Sequence, residues 1–259
     1  MKYLRLLIVF ILVLAKGSAG EFDPNTPKVA LLTIPKSGTH LLNKAVELIT
    51  SQKVIPTNQF NPHSIFNSGN YYVQHITDHF DFIKDDPDIR KVLLIRDPRD
   101  TLVSQIYWTQ KKGKWLWCTP NLVARAINIQ PTFDDKLKEA ILLSDEYYSV
   151  PWFVKRAMIW MQDPTILTLR YEELVGPEGG GDRSAQIKAI FKLADFIGSP
   201  VTEEGAAEIA DKLYGGTSTF RKGKKDGWPE YFSENNRNLL KQVLGQEIIE
   251  LGYAEDNNW

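Results

Sequence analysis

The chain of 259 residues is 43% hydrophobic and 24% charged, with a formal net charge of −1, the balance of an α/β domain able to bury a sizeable core. No excess of Lys and Arg exists to neutralise a phosphate backbone, which speaks against nucleic acid as a partner. The single cysteine, Cys118, excludes an intrachain disulfide and argues against a Cys-ligated zinc site.

Met1 to Arg5 is basic, Leu6 to Ala15 is an unbroken apolar run of ten residues, and Gly17-Ser18-Ala19 supplies the small residues of a cleavage site. The run is about half of what a membrane-spanning helix needs. Residues 1–19 are therefore expected to be a cleaved secretory signal, with no stable span in the mature chain. Residues 20–259 are expected to form one domain in a secretory lumen, the periplasm or outside the cell. The alternatives are an uncleaved anchor and, without processing, a cytosolic protein. Cleavage would remove Lys2, Arg5 and Lys16 and no acid, moving the net charge from −1 to −4.

After a polar linker from Glu21 to Pro27, Val29 to Ile34 is an apolar, β-branched-rich run that breaks at Pro35, the pattern of a buried parallel strand. Beyond Gly38 the period changes, with Leu41, Leu42, Ala45, Val46 and Ile49 at helical spacing. A strand, a Gly-containing loop and an amphipathic helix thus follow one another, leaving a helix N-terminus and Lys36 to receive a phosphate or sulfate. The loop is not G-x-x-x-x-G-K-[ST], because Lys36 precedes Gly38.

Pro56 to Asn70 reads as a loop over the site, Tyr71 to Ile76 as a second strand, and Lys91 to Ile95 as a third. Asp97 as N-cap and Pro98 at the first helical position then start a helix. Lys111 to Met161 is mainly helical by pattern, with breaks near Pro120, Pro131 and Pro151. A strand from Thr165 to Leu169 follows, then a Gly-rich loop from Gly176 to Asp182. Helices are expected over roughly 184–197 and 202–213, a basic loop over 215–229, and a last helix over 233–251. The alternation implies α/β architecture: a three-layer αβα fold with a P-loop-like strand-loop-helix and its site at the carboxyl ends of a parallel sheet.

Three constellations carry chemistry. The first is Pro35-Lys36-Ser37-Gly38-Thr39-His40. In the second, Arg96 sits at a strand end and Ser104 about two turns into the next helix, where an arginine fork suits a phosphate. The third is Arg221-Lys222-Gly223, followed by Gly227-Trp228, with adjacent cations and a backbone that a ligand can approach closely. Read alone, each is also compatible with a capped turn and solvated charges.

Together, in this order, they resemble the sulfotransferase family. The resemblance runs from Lys28 to about Tyr253 and implies 3′-phosphoadenosine-5′-phosphosulfate (PAPS) as the sulfuryl donor, with no metal. It further implies a small-molecule or carbohydrate acceptor. Lys36 to His40 would hold the 5′-phosphosulfate, Arg96, Ser104, Arg221, Lys222 and Gly223 the 3′-phosphate side, and Tyr171 the adenine unless it is a core tyrosine. His75, 21 residues before Arg96, stands where relatives place a catalytic histidine. A structural role, or a metal site shared with His79, is the alternative.

The chain departs from the family pattern at Leu41, where an adenine-stacking ring is usual, and at Val73, where a lysine is usual. The family's dimer segment does not appear after Trp228, so no dimer is inferred. Trp115, Trp117, Trp152 and Phe153 either line an acceptor pocket or belong to the core. The rival functions are a P-loop kinase or NTPase using Asp97 for Mg²⁺, and an inactive nucleotide-binding module.

Overall fold

The computed structural model describes residues 23–56, 69–76, 83–112, 122–216 and 222–259. The signal-like segment and Cys118 lie outside them, as do His63, His79, Trp115, Trp117 and Arg221. Five strands form one parallel sheet: β1 (Lys28–Thr33), β2 (Ile55–Pro56), β3 (Tyr71–His75), β4 (Ile89–Ile95) and β5 (Leu167–Arg170), in the order β2-β3-β1-β4-β5. The sequence did not single out β2. Two residues are too short for a period-two pattern to show.

Helices cover both faces. They are α1 (Thr39–Thr50), α2 (Pro98–Lys112), α3 (Leu122–Ile129), α4 (Phe133–Leu142), α5 (Val150–Met161), the single turn α6 (Tyr171–Leu174), α7 (Arg183–Phe196), α8 (Glu203–Leu213) and α9 (Glu234–Glu250). Alternation along β1 decides which helix goes where. Val29 and Leu31 face a core with Leu42 and Val46 of α1, Ile190 and Leu193 of α7, and Leu213 of α8. Ala30 and Leu32 face the opposite core with Leu102 of α2, Leu137 of α4, Phe153 and Trp160 of α5, and Leu244 of α9. Each face of a parallel sheet must be covered, so the three-layer αβα arrangement follows from an apolar strand buried on both sides.

Because the strands run parallel, their carboxyl ends share one edge. The chain moves to one side of β1 for β3 and to the other for β4. That reversal opens a crevice beyond β1, where ligands of such sheets bind. Register fills in the detail: Thr33 pairs with His75 on one side and Leu94 on the other, and Ile95 pairs with Arg170. The loop from Lys36, His75, Arg96 and Tyr171 therefore emerge at one level.

Candidate active site

The loop between β1 and α1 is held in an unusual backbone conformation. Lys36 has φ 72° and Gly38 φ 108°, the left-handed region that costs an L-residue about 1–2 kcal/mol. At Gly38 a second constraint operates, since a Cβ there would lie 2.5 Å from Cδ2 of Tyr171. Ser37 anchors the turn: it is fully buried, its amide donates to Ile34 O at 3.0 Å, and its hydroxyl donates to Leu94 O at 3.2 Å. Both Ser37 donors are thus engaged inside the protein.

Thr132, Ser149, Asp182, Thr202 and Ser233 cap the N-termini of α4, α5, α7, α8 and α9, each side chain accepting from a first-turn amide. At α1 the N-cap is Gly38, with no side-chain hydrogen bond. The Leu41 amide donates to Gly38 O at 2.8 Å, which leaves the amides of Thr39 and His40 for an external anion. Lys36 Nζ lies 6.0 Å from the centroid of the Trp108 ring on α2. Trp108, which the sequence reading passed over, sits one helical turn beyond Ser104 and two beyond Asp100.

Arg96 is clamped at the end of β4. It donates to Lys36 O at 3.3 Å and Lys224 O at 2.9 Å, and its guanidinium stacks 4.2 Å over the Tyr171 ring. Its Nε is buried with no hydrogen-bond partner among the described residues. Asp100 Oδ2, 4.0 Å from Arg96 Nη2, is also buried and unpartnered there. Burial pushes the Asp100 carboxyl up to about 6, against the pull of the Arg96 charge. Tyr171 is buried and pushed up to about 12 by desolvation, so it is a packed ring that joins Arg96 to Gly38.

His75 closes β3. Its Nδ1 lies 3.0 Å from Thr33 Oγ1, which in turn lies 2.9 Å from Thr39 Oγ1 in the first turn of α1. The Phe153 ring meets the imidazole edge-on at 6.4 Å, and Tyr148 and Trp152 pack around Phe153. Phe153 is thus both fully buried core and the wall beside His75. Desolvation, with a smaller push from the Lys36 charge, lowers the His75 pKa from the ordinary 6.5 to about 4, so the ring is neutral at pH 7. His40 is exposed on the first turn of α1, and partial desolvation and the Lys36 charge hold its pKa below the usual value.

The remaining candidates lie on α2 and on the segment whose Lys224 carbonyl receives Arg96. Ser104 is half-buried on α2. Lys222 donates from Nζ to the Tyr231 hydroxyl at 3.0 Å and lies 3.9 Å from Glu230. Gly223 has φ 60°, and its carbonyl lies so close to Gly179 that a Cβ there would meet it at 2.5 Å. Arg221 is outside the described residues. Leu41 and Val73, the two departures from the family pattern, both face the core on the α1 side. Asp97 is 2% exposed, and its carboxylate receives Nε and Nη2 of Arg99 at 2.9 and 2.7 Å, so it is not offered to Mg²⁺. Among the described residues no group of three or more His, Cys, Asp or Glu could hold a metal ion.

A comparison with curated proteins gives no match. Among solved structures, the fold resembles mouse sulfotransferase SULT7A1 complexed with PAP (TM-score 0.63, 18% identity, covering 90% of this chain and 89% of that one). It also resembles retinol dehydratase, in complex with androsterone and inactive cofactor PAP (TM-score 0.59, 18% identity, 85% and 80% covered) and with retinol and PAP (TM-score 0.59, 19% identity, 87% and 82% covered). At these identities the likeness speaks for the fold. The sequence model of the sulfotransferase domain family matches residues 26–252, a span that runs from just before β1 to just past the end of α9. The chain belongs to the sulfotransferase family.

Proposed function

We propose that the chain transfers a sulfuryl group from PAPS to a hydroxyl or amine of a small-molecule or carbohydrate acceptor. The observation that carries this reading is the convergence at the end of β1. Lys36, the uncapped N-terminus of α1 and a neutral His75 meet there, with Arg96 in the same crevice. The acceptor's proton moves to His75 as its oxygen or nitrogen bonds to sulfur. The bond from sulfur to the 5′-phosphate oxygen breaks, leaving adenosine 3′,5′-bisphosphate (PAP). Lys36 and the α1 amides stabilise charge on the transferring group and the leaving phosphate, the role that Mg²⁺ fills in phosphoryl transfer. Arg96, whose buried Nε is unpartnered, supports assignment of the 3′-phosphate to its side of the crevice. That the similar structures SULT7A1 and retinol dehydratase hold PAP supports the choice of donor. The basic and apolar run at residues 1–19 further supports a secretory location, which N-terminal sequencing of the secreted product tests.

Radiolabelled PAPS with a panel of alcohols, phenols and amines tests the reaction. Sulfated product is expected. Lys36→Ala should lower turnover by roughly two to three orders of magnitude, the scale of one preorganised charge stabiliser. Magnesium-dependent ATP turnover without sulfate transfer would overturn the reading.

A further inference from the structure

Thr33 is an unusual residue for its position. It closes a strand that is apolar from Val29 to Leu32, and is fully buried, with its hydroxyl within hydrogen-bond distance of Thr39 Oγ1 (2.9 Å) and His75 Nδ1 (3.0 Å), and 3.5 Å from Gln74 O. A hydroxyl has one proton to donate and two lone pairs to accept with. Which neighbour receives that proton decides which nitrogen of His75 carries its own. If Thr33 donates to Nδ1, then Nε2 carries the hydrogen and cannot accept another. If Thr33 donates elsewhere, Nδ1–H donates to Thr33, and Nε2 presents its lone pair.

An anion on the first turn of α1 breaks this degeneracy. A phosphate oxygen offers only lone pairs, so the Thr39 hydroxyl reaching it must donate. Thr39 can then only accept from Thr33, Thr33 donates to Thr39, and the remaining contact of Thr33 is to accept from Nδ1–H. We propose that Thr33 is a positioning residue that couples donor occupancy to the tautomer of His75: an anionic nucleotide on the Lys36–His40 loop sets the imidazole to Nδ1–H and leaves Nε2 as the acceptor of the substrate's proton. No proton is gained or lost in this relay. Two hydroxyl hydrogens reorient and the ring hydrogen changes nitrogen through solvent. The inference rests on the sulfotransferase reading of the site. It adds an order to the reaction, because the base is prepared only after the donor is in place.

Nitrogen-15 NMR of the imidazole, with PAP as the probe, reads this directly. PAP should drive His75 to a single Nδ1–H tautomer in the unaltered protein and in Thr33→Ser, but not in Thr33→Val, which keeps the shape and lacks the hydroxyl. Thr33→Val should also lose at least about tenfold in kcat, short of the roughly hundredfold or more expected for removing a general base outright, with PAP affinity within about twofold and Thr33→Ser restoring the rate. PAP binding that leaves the tautomer unchanged in the unaltered protein, or an unaltered kcat in Thr33→Val, would overturn the coupling and leave the donor assignment standing. Failure of PAP to bind at all would overturn the donor assignment and the coupling with it.

Discussion

At the scale of single residues, the site is governed by desolvation. His75 is held at about 4 in the ligand-free protein, so its ring resonances should titrate near that value and not near 6.5. A base works in its neutral form, which exists above its pKa. Rates in the free enzyme should therefore persist below pH 6.5 and fall only as His75 takes up a proton. An acidic limb at 6.5 would mean that another group sets it. Because the Lys36 charge contributes to the lowering, an anionic nucleotide on the loop should raise the His75 midpoint, the opposite charge favouring imidazolium. Arg96 poses a different test. Arg96→Ala should weaken PAP binding by about 1.5–3 kcal/mol, the range for a hydrogen bond to a charged group. Adenosine 5′-phosphate should lose little, and titration calorimetry of both nucleotides separates a 3′-phosphate role from general loosening of the loop.

At the scale of elements, the turn from β1 to α1 is a strained connection stabilised by its neighbours. Ser37 ties it to β4, Arg96 ties Lys36 to Lys224, and Tyr171 fills the space above Gly38. Gly38→Ala combines a left-handed backbone with a collision against the Tyr171 ring, and should destabilise the protein by about 2 kcal/mol or more, measured by urea unfolding. In a Tyr171→Ala background, itself less stable for the loss of a buried ring, the added cost of Gly38→Ala should shrink to the backbone part alone. A Gly38→Ala protein as stable as the original would show that the loop adopts another conformation in solution. The start of α2 is built differently: Asp97 caps it and binds Arg99, whose guanidinium lies 4.3 Å from the ring centroid of Trp228 and 4.8 Å from that of Trp259. The two arginines of Arg-Asp-Pro-Arg-Asp thus face different tasks. Arg96 belongs to the crevice, and Arg99 pins the Gly227-Trp228 segment and the final residues to the sheet.

At the scale of the whole molecule, two buried groups with opposite shifts shape stability against pH. Asp100 is raised to about 6, so from there down to its ordinary 3.8 the folded state holds a proton that the unfolded state lacks, and stability rises as pH falls. His75 is lowered to about 4 from 6.5, so within that window the unfolded state holds the extra proton, and stability falls as pH falls. The two slopes oppose each other over nearly the same range. Asp100→Asn removes only the first. The variant should gain up to about 3 kcal/mol near pH 7–8, where the buried charge is costly, and should lose stability more steeply than the parent between pH 6.5 and 4. Parallel slopes in thermal melts of the two proteins would mean that Asp100 is not desolvated in solution.

Much of this was legible in the sequence, and for a local reason. Hydrophobic period, a proline or glycine at a boundary and a capping aspartate are properties of neighbouring residues, so β1, α1, the start of α2 and the helices near 184–197, 202–213 and 233–251 lie within a residue or two of expectation. The three-layer parallel sheet followed from the alternation of such elements, Lys36 and Arg96 stood out as cations at strand ends, and His75 was singled out by the resemblance to the sulfotransferase family. What only the tertiary structure decided depends on partners far apart in the chain. Nothing local marks Ser37 as an anchor to Leu94, Arg96 as a donor to Lys224, or Tyr171 as the ring over Gly38. Thr33 was absorbed in the β-branched run from Val29 to Ile34. Its link to His75, 42 positions on, arises from strand register, and register is set by which faces of the sheet are buried, a property of the folded whole.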